Sequence, residues 1–328
     1  MSRTRYFLAR TVQTIFLLWL AMTVLFVLFR MMPGDYADLM LWQGASPETV
    51  DQFREAWGLN DPLYVQYWNY LTNFLTLEYG FSTQSQRPVW DAVKLRIFNS
   101  FILIAPALTV AYVLGSVIGA IMGSNRGSKL EKYGFIPALM TGTSPIFFLG
   151  ILGIIVFAGW FDLLPTSGIR SPGTTYPDSA PWWAHYVTGE FVRHYILPFS
   201  VIVIKYLYLP LLIMRTSSVE VRNQDFFFYH RVTGVPGWKR TKHLAKHASL
   251  PVITLYPISL AASMGGLVLL EVVFNWPGMG RALIQAVLAR DLPVIQFVFF
   301  LIAAFVIIGN YLVDIMYGVI DPRVSVES

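Results

Sequence analysis

The stretch IFNSFILIAPALTVAYVLGSVIGAIMGSN, residues 97–125, contains 29 consecutive residues without Asp, Glu, Lys or Arg. A helix that crosses a bilayer needs about 20 consecutive, mostly apolar residues. Residues 97–125 are therefore long enough to form a transmembrane helix. The whole chain agrees with this interpretation, because only 13% of its 328 residues are charged, whereas a soluble domain carries about 25%.

Further apolar stretches extend the pattern to six transmembrane helices. Four other stretches lack the same four charged residues, and a fifth, residues 194–214, is interrupted only by Lys205. We therefore predict an all-α integral membrane protein, formed by one domain over residues 1–328. The predicted spans are residues 11–30, 99–122, 135–160, 195–214, 251–271 and 293–314. Residues 31–97 form an outer loop in this scheme, and residues 215–250 form the longest inner loop.

The positive residues predict the orientation. The segments that share a side with the N-terminus are 1–10, 126–132, 215–247 and 318–328, and they carry 14 Lys and Arg residues; the opposite segments carry 8 over about twice the length. Because cytoplasmic loops are enriched in Lys and Arg, we predict that both termini are cytoplasmic. This topology accounts for the net charge of +5, so the charge is no argument for a nucleic-acid partner.

No motif in the sequence predicts catalysis. The chain has no cysteine, no G-x-x-x-x-G-K-[ST] nucleotide loop and no H-E-x-x-H metalloprotease motif. His243 and His247 have the i, i+4 spacing of a metal pair, but the basic loop around them offers no third ligand. Ser144 lacks the neighbouring glycine and histidine of an intramembrane serine protease. We predict that the chain is not an enzyme and binds no metal or cofactor itself.

Lys205 is unusual because it is the eleventh of the 21 residues in the span 194–214. A lysine at the centre of a membrane helix costs about 2.5–3.5 kcal/mol on insertion scales, and such residues usually face a cavity or a partner. Glu271 and Asp314 are candidate partners. Lys205, Glu271 and Asp314 are therefore candidates for the translocation path or for intramembrane pairing, and the sequence leaves both roles open.

The inner segment 220–251 has the pattern of a protruding elbow. Residues 225–231 can form a short helix, Gly234 ends it, and Leu250-Pro251 begins the next span. Four consecutive aromatic residues lie beside water, which favours a protein interface; contact with the membrane surface is the alternative. The candidate docking residues are Asp225, Phe226, Phe227, Phe228, Tyr229, His230, Arg231 and Gly234.

An ordered set of short motifs resembles the permeases of the dipeptide/oligopeptide/nickel ABC importer family. The motifs are Pro33–Asp35, Gly58–Pro62, Gly80–Ser82, Arg87–Val89, Leu164–Gly168, Glu271–Phe274, Pro277–Gly280, Arg290–Pro293 and Asp321–Arg323. The inner elbow is similar to the coupling loop of ABC importer permeases. It departs from that pattern at residues 230–234, where His-Arg-Val-Thr-Gly replaces Ala-Arg-Ala-Lys-Gly.

The resemblance implies a type I ABC importer permease fold and the first of two permeases. Its implied partners are a second homologous permease, two ABC ATPase subunits that bind ATP and Mg, and an extracytoplasmic substrate-binding protein. It implies the cell membrane of a prokaryote and a cargo of di- or oligopeptides, with oligosaccharides and nickel complexes as alternatives. The elbow would dock on an ATPase. Pro277, Gly278, Gly280 and Asp291 would shape the outer mouth, together with Glu271.

A membrane-integral assembly factor with no substrate is one alternative to the importer, and a secondary transporter or channel working alone is the other. That class predicts internal inverted repeats and paired broken helices, and the sequence contains no recognisable repeat.

Overall fold

The computed structural model describes residues 3–31, 46–56, 58–174 and 181–320. Within these residues all regular secondary structure is helical, apart from one isolated β-bridge between Phe81 and Pro88. The motifs at 33–35 and 321–323 lie outside the described residues. The prediction of an all-helical protein is confirmed for the described part of the chain.

The α-helices given below differ widely in length, from 6 to 36 residues. Their bounds are α1 Arg3–Met31, α2 Pro47–Ala56, α3 Leu63–Leu75, α4 Val89–Ser124, α5 Lys129–Thr143, α6 Ile146–Gly153, α7 Gly189–Tyr206, α8 Tyr208–Arg222, α9 Asp225–Val232, α10 Gly237–Ala248, α11 Leu250–Gly266, α12 Val268–Val273, α13 Met279–Ala289 and α14 Leu292–Ile320. A π-helical segment, Ile154–Trp160, follows α6, and a 3-10 turn, Ala184–Val187, precedes α7.

In the described part of the chain, four helices are long and apolar enough to cross a membrane. They are α1, α4, the continuous pair α7–α8 and α14; the bent pair α5–α6 would be a fifth. The predicted span 251–271 corresponds to α11, which has 17 residues, and the short helix α12. Since a span needs about 20 residues, the count of six stays a prediction.

The expected third span, 135–160, is not one continuous helix. α5 ends at Thr143, α6 begins at Ile146, and the axis of α5 differs by 106° from that of the segment Ile146–Trp160. Ser144 between them is extended, with φ −66° and ψ 144°. Pro145 explains the break, because proline has no backbone N–H and disfavours the α conformation in the residue before it.

Glycines bring α4 into close contact with α8. A Cβ atom on Gly115 would lie 2.6 Å from the Leu207 carbonyl oxygen, and one on Gly119 would lie 2.5 Å from the Leu211 carbonyl oxygen. Gly123 repeats the spacing of four residues. This pattern of small residues permits the backbone approach that membrane helix pairs use. The contact moves from Gly115 to Gly119 on one helix as it moves from Leu207 to Leu211 on the other, so α4 and α8 run parallel.

The first and last described helices pack side by side. Arg10 on α1 forms an ion pair with Asp314 on α14, with 3.5 Å between Nε and Oδ2. Thr11 and Tyr311 share a hydrogen bond of 2.8 Å between their hydroxyl groups. The beginning of α1 therefore lies beside the end of α14, and the two helices are antiparallel.

Candidate functional site

Glu271 lies at the predicted outer mouth and is buried, with 2% of its surface exposed. Its carboxyl group accepts hydrogen bonds from the Ser100 hydroxyl and, over 3.0 Å, from the backbone N–H of Arg281. Arg281 is in the first turn of α13, where backbone N–H groups lack partners within the helix. Glu271 thus caps α13, which begins eight residues after it.

Two glycines make room for this cap. A Cβ atom on Gly278 would lie 2.2 Å from Oε1 of Glu271, and one on Gly280 would lie 2.7 Å from the Cα of Val268. Both distances are far below van der Waals contact. The predicted mouth motif Pro277–Gly280 therefore passes close to α12, and its two glycines leave room for the buried carboxyl group and for the backbone at Val268.

Asn99 and Ser100, at the outer part of α4, complete the same network. The Ser100 hydroxyl accepts a hydrogen bond of 2.7 Å from the Met279 backbone N–H, and Asn99 Nδ2 donates to the Pro277 carbonyl over 2.9 Å. The Asn99 carbonyl accepts from the indole of Trp276 over 2.9 Å. These two residues belong to no motif of the sequence, although they are adjacent polar residues near the edge of a charge-free stretch.

Asp291 joins a second pair of outer segments. It is buried, accepts a hydrogen bond from the Ser82 hydroxyl and another of 3.2 Å from the Thr83 backbone N–H. Ser82 lies in the turn between α3 and α4, and Asp291 immediately precedes α14. The predicted mouth residue Asp291 therefore fastens the outer loop to the last helix.

Lys205 does not pair with either carboxyl group proposed from the sequence. Its Nζ donates to the backbone carbonyls of Gly142 over 2.6 Å and Ser144 over 2.8 Å. These carbonyls flank the end of α5, where the Pro145 break leaves carbonyl groups without helical donors. The expected partners are engaged elsewhere: Glu271 caps α13, and Asp314 pairs with Arg10.

The inner elbow consists of α9, a turn at Gly234 and α10. Gly234 has φ +74°, a conformation that L side chains rarely adopt. Phe227 is buried against a cluster that includes Met214 and Leu244. Phe228 and Tyr229 are each 64% exposed. Of these three aromatic candidates, Phe227 is therefore an anchor and the other two present exposed rings.

The remaining elbow residues frame this exposed pair. Val232 and Trp238, two further apolar residues of the elbow, are also exposed. Asp225 begins α9 and is also exposed. His230 packs its ring against that of His243, with 5.1 Å between the ring centroids. The side-chain surroundings of two candidates lie outside the described part of the structure, namely those of Phe226 and Arg231.

The helix that leads into the elbow, α8, is joined to the start of α5. Arg215 on α8 forms an ion pair with Glu131, and its Nε donates to that carboxyl group over 2.9 Å. Glu131 also accepts from the Gly127 backbone N–H and donates its own N–H to Ser128, as in a capping box. The two inner segments are therefore connected by a partly buried ion pair.

Comparison with known proteins identifies the family. The family described as binding-protein-dependent transport system inner membrane component matches residues 115–326, and its N-terminal companion matches residues 3–102. The chain belongs to this family. It is a multi-pass membrane permease of the ABC importer type, as the ordered motifs predicted.

Named relatives cover nearly the whole permease. A protein of Brucella suis biovar 1, named provisionally as a peptide permease, is 36% identical over 312 residues, 94% of this chain and 95% of the relative. The oligopeptide transport system permease protein AppB of Bacillus subtilis is 31% identical over 330 residues, 98% of this chain and 99% of the relative. The glutathione transport system permease protein GsiC of Escherichia coli K12 is 31% identical over 320 residues, 97% and 98% of the two chains.

Proposed function

We propose that this permease forms half of the translocation path of an ATP-driven importer for di- or oligopeptides. The observation that carries the proposal is the inner elbow, whose exposed rings project from an anchored base in a chain of this family. The names of the relatives support a peptide cargo. Oligosaccharides and nickel complexes are the alternative cargoes.

The proposed topology has six spans, with both termini in the cytoplasm of a prokaryotic cell. The antiparallel arrangement of α1 and α14 supports termini on one side, since Arg10 near one terminus contacts Asp314 near the other. The parallel direction of α4 and α8 supports two crossings in the same sense. The excess of Lys and Arg in the inner segments supports their cytoplasmic location.

The proposed partners act on opposite faces of the membrane. A substrate-binding protein delivers cargo to the outer mouth, and a second homologous permease completes the path. Each of two ATPase subunits receives one coupling elbow and binds ATP and Mg; this chain itself holds no cofactor and performs no catalysis. Closure of the ATPases would push the elbow and shift the permease between inward-facing and outward-facing states, a two-state equilibrium biased by nucleotide.

The anchored geometry of the elbow supports this transmission. Phe227 fixes α9 against α8 and α10, and the Arg215–Glu131 ion pair connects α8 with the preceding inner segment. A force on Phe228 and Tyr229 would therefore move several helices together. This is the physical requirement for coupling a distant ATP hydrolysis to a change at the outer mouth.

ATPase activity of the chain, purified alone and with its co-expressed neighbours, tests the proposal. We expect no hydrolysis by the chain alone, and hydrolysis in the complex that rises when a loaded binding protein is added. Movement of solute into liposomes by the chain alone, without ATP or partners, would instead identify a secondary transporter.

A further inference from the structure

Lys205 lies near the midpoint of a helix that is long and apolar enough to cross a membrane. It is 16 residues after the start of the continuous helix Gly189–Arg222 and 17 before its end (205 − 189 and 222 − 205). At 1.5 Å per residue these are about 24 and 26 Å, whereas the hydrocarbon core is about 30 Å thick. The contact of Leu207 with Gly115, inside the charge-free stretch 97–125, indicates a similar depth.

The positive charge of Lys205 has no negative partner in the described part of the chain. Lys205 takes no part in the ion pairs that join Arg10 with Asp314, Lys94 with Asp91 and Arg215 with Glu131. Gly142 and Ser144 supply carbonyl oxygens to Nζ, but a carbonyl group carries no net charge. An ammonium group that is not neutralised is costly at this depth.

The side chain is also accessible from outside the chain. Lys205 is partly exposed, and so is Ser144 beside it. An ammonium group has three N–H donors, and the two carbonyls use two of them. The two bonds hold Nζ at the break between α5 and α6. A group approaching this surface would meet a positioned cation with one donor remaining.

We propose that Lys205 is an intramembrane site for a carboxylate supplied from outside this chain, either by the cargo in transit or by the second permease. The inference rests on the proposed importer function, because both sources belong to it. A carboxylate supplies the missing charge and accepts the remaining N–H. Such a charge-assisted hydrogen bond is stronger than one between neutral groups.

The test uses the complete importer in proteoliposomes, with Lys205→Arg, Lys205→Gln and Lys205→Met. Glutamine keeps N–H donors but has no charge, arginine keeps the charge, and methionine has neither property. ATP-driven uptake is measured for trialanine and for its C-terminal amide. Each peptide is first titrated against the binding protein, and uptake is measured at a concentration that saturates it. The melting temperature of each complex is measured without cargo.

If the cargo supplies the carboxylate, Lys205→Gln should lower trialanine uptake about tenfold or more. The same variant should leave the uptake of the amide and the melting temperature unchanged. Lys205→Arg should retain most of the trialanine uptake. A carboxylate of the second permease predicts instead that Lys205→Gln lowers the melting temperature and the uptake of both cargoes equally, while Lys205→Arg preserves them.

Wild-type behaviour of Lys205→Gln would overturn the proposal, as would equal losses in the Gln and Arg variants, since the charge would then be irrelevant. Absence of ATP-driven trialanine uptake by the wild-type complex would contradict the proposed peptide function. The melting temperatures would still test Lys205 in that case.

Discussion

Glu271 accepts a hydrogen bond from Ser100, although 171 residues separate them in the chain. The same hydroxyl group accepts a hydrogen bond from the backbone N–H of Met279, so α4, α12 and α13 meet at one buried point. A carboxyl group and a helix break at the end of a membrane span thus form one structural unit. The carboxyl group supplies the acceptor that the next helix needs at its first turn.

Glu271→Ala should destabilise this outer junction. The substitution removes the acceptor for the Ser100 hydroxyl and the Arg281 N–H, and a buried donor without a partner costs about 1–3 kcal/mol. We expect a lower melting temperature of the purified permease. Val272→Ala is the matched control, because Val272 is exposed on the same helix. Equal melting temperatures for the two variants would contradict the capping role.

Gly278→Ala should destabilise the folded permease, because the added methyl group would collide with the Glu271 side chain. The added Cβ would lie 2.2 Å from Oε1 of Glu271, and overpacking typically costs about 1–3 kcal/mol. We expect less folded permease by size-exclusion chromatography. Gly189→Ala is the control, since a Cβ there meets no atom within 4 Å.

The same pair predicts a specific coupling. When Glu271→Ala is already present, the atom that collides with the new Cβ is gone, so Gly278→Ala should add less damage than it does alone. Residues in direct contact show such non-additivity, and a double-mutant cycle measures it. Strict additivity of the two losses in melting temperature would mean that Gly278 is constrained by something other than Glu271.

Substitutions of the buried and the exposed rings of the inner elbow should have different effects, on folding stability and on coupling to the ATPase respectively. Phe227→Ala removes a buried ring and should cost about 3 kcal/mol or more, lowering the folded yield. Phe228→Ala with Tyr229→Ala removes exposed rings and should leave the yield near wild type. In the complex, the double variant should lose co-purified ATPase and stimulated hydrolysis. Retention of both would exclude these rings from docking.

Gly234→Asp should uncouple ATP hydrolysis from import while the subunit still assembles. A Cβ there meets no atom within 4 Å, but φ of +74° strains most side chains, and the new charge lies on the proposed docking surface. Gly234→Asn is the control, because asparagine tolerates this conformation better than most residues and adds no charge. Full transport by Gly234→Asp would rule out docking at this turn.

Gly119→Leu should loosen the packing of α4 on α8. Even the first added carbon would lie 2.5 Å from the Leu211 carbonyl oxygen, so the helices must separate and lose close contacts along their length. We expect a large fall in folded yield and loss of transport. Val117→Leu, at an exposed position on α4, should behave like the wild type.

Local sequence patterns predicted the membrane helices, the family and the position of the inner elbow. Charge-free stretches indicated the membrane helices, because the hydrocarbon core requires about 20 apolar residues of any span. The ordered motifs predicted the family, and the aromatic run before Gly234 located the elbow. Pro145 is also the sequence signal for the break in the third span, although the charge-free stretch around it predicts one continuous span over residues 135–160.

Tertiary structure alone decided the partners of the polar groups. Lys205 bonds to carbonyls 61 and 63 residues away, and Asp291 bonds to Ser82 across 209 residues. Membrane helices are apolar on lipid-facing and buried sides alike, so their composition does not indicate which faces meet. Phe227 and Phe228 illustrate the same limit: adjacent and identical, they differ in burial because only one points at the helices behind the elbow.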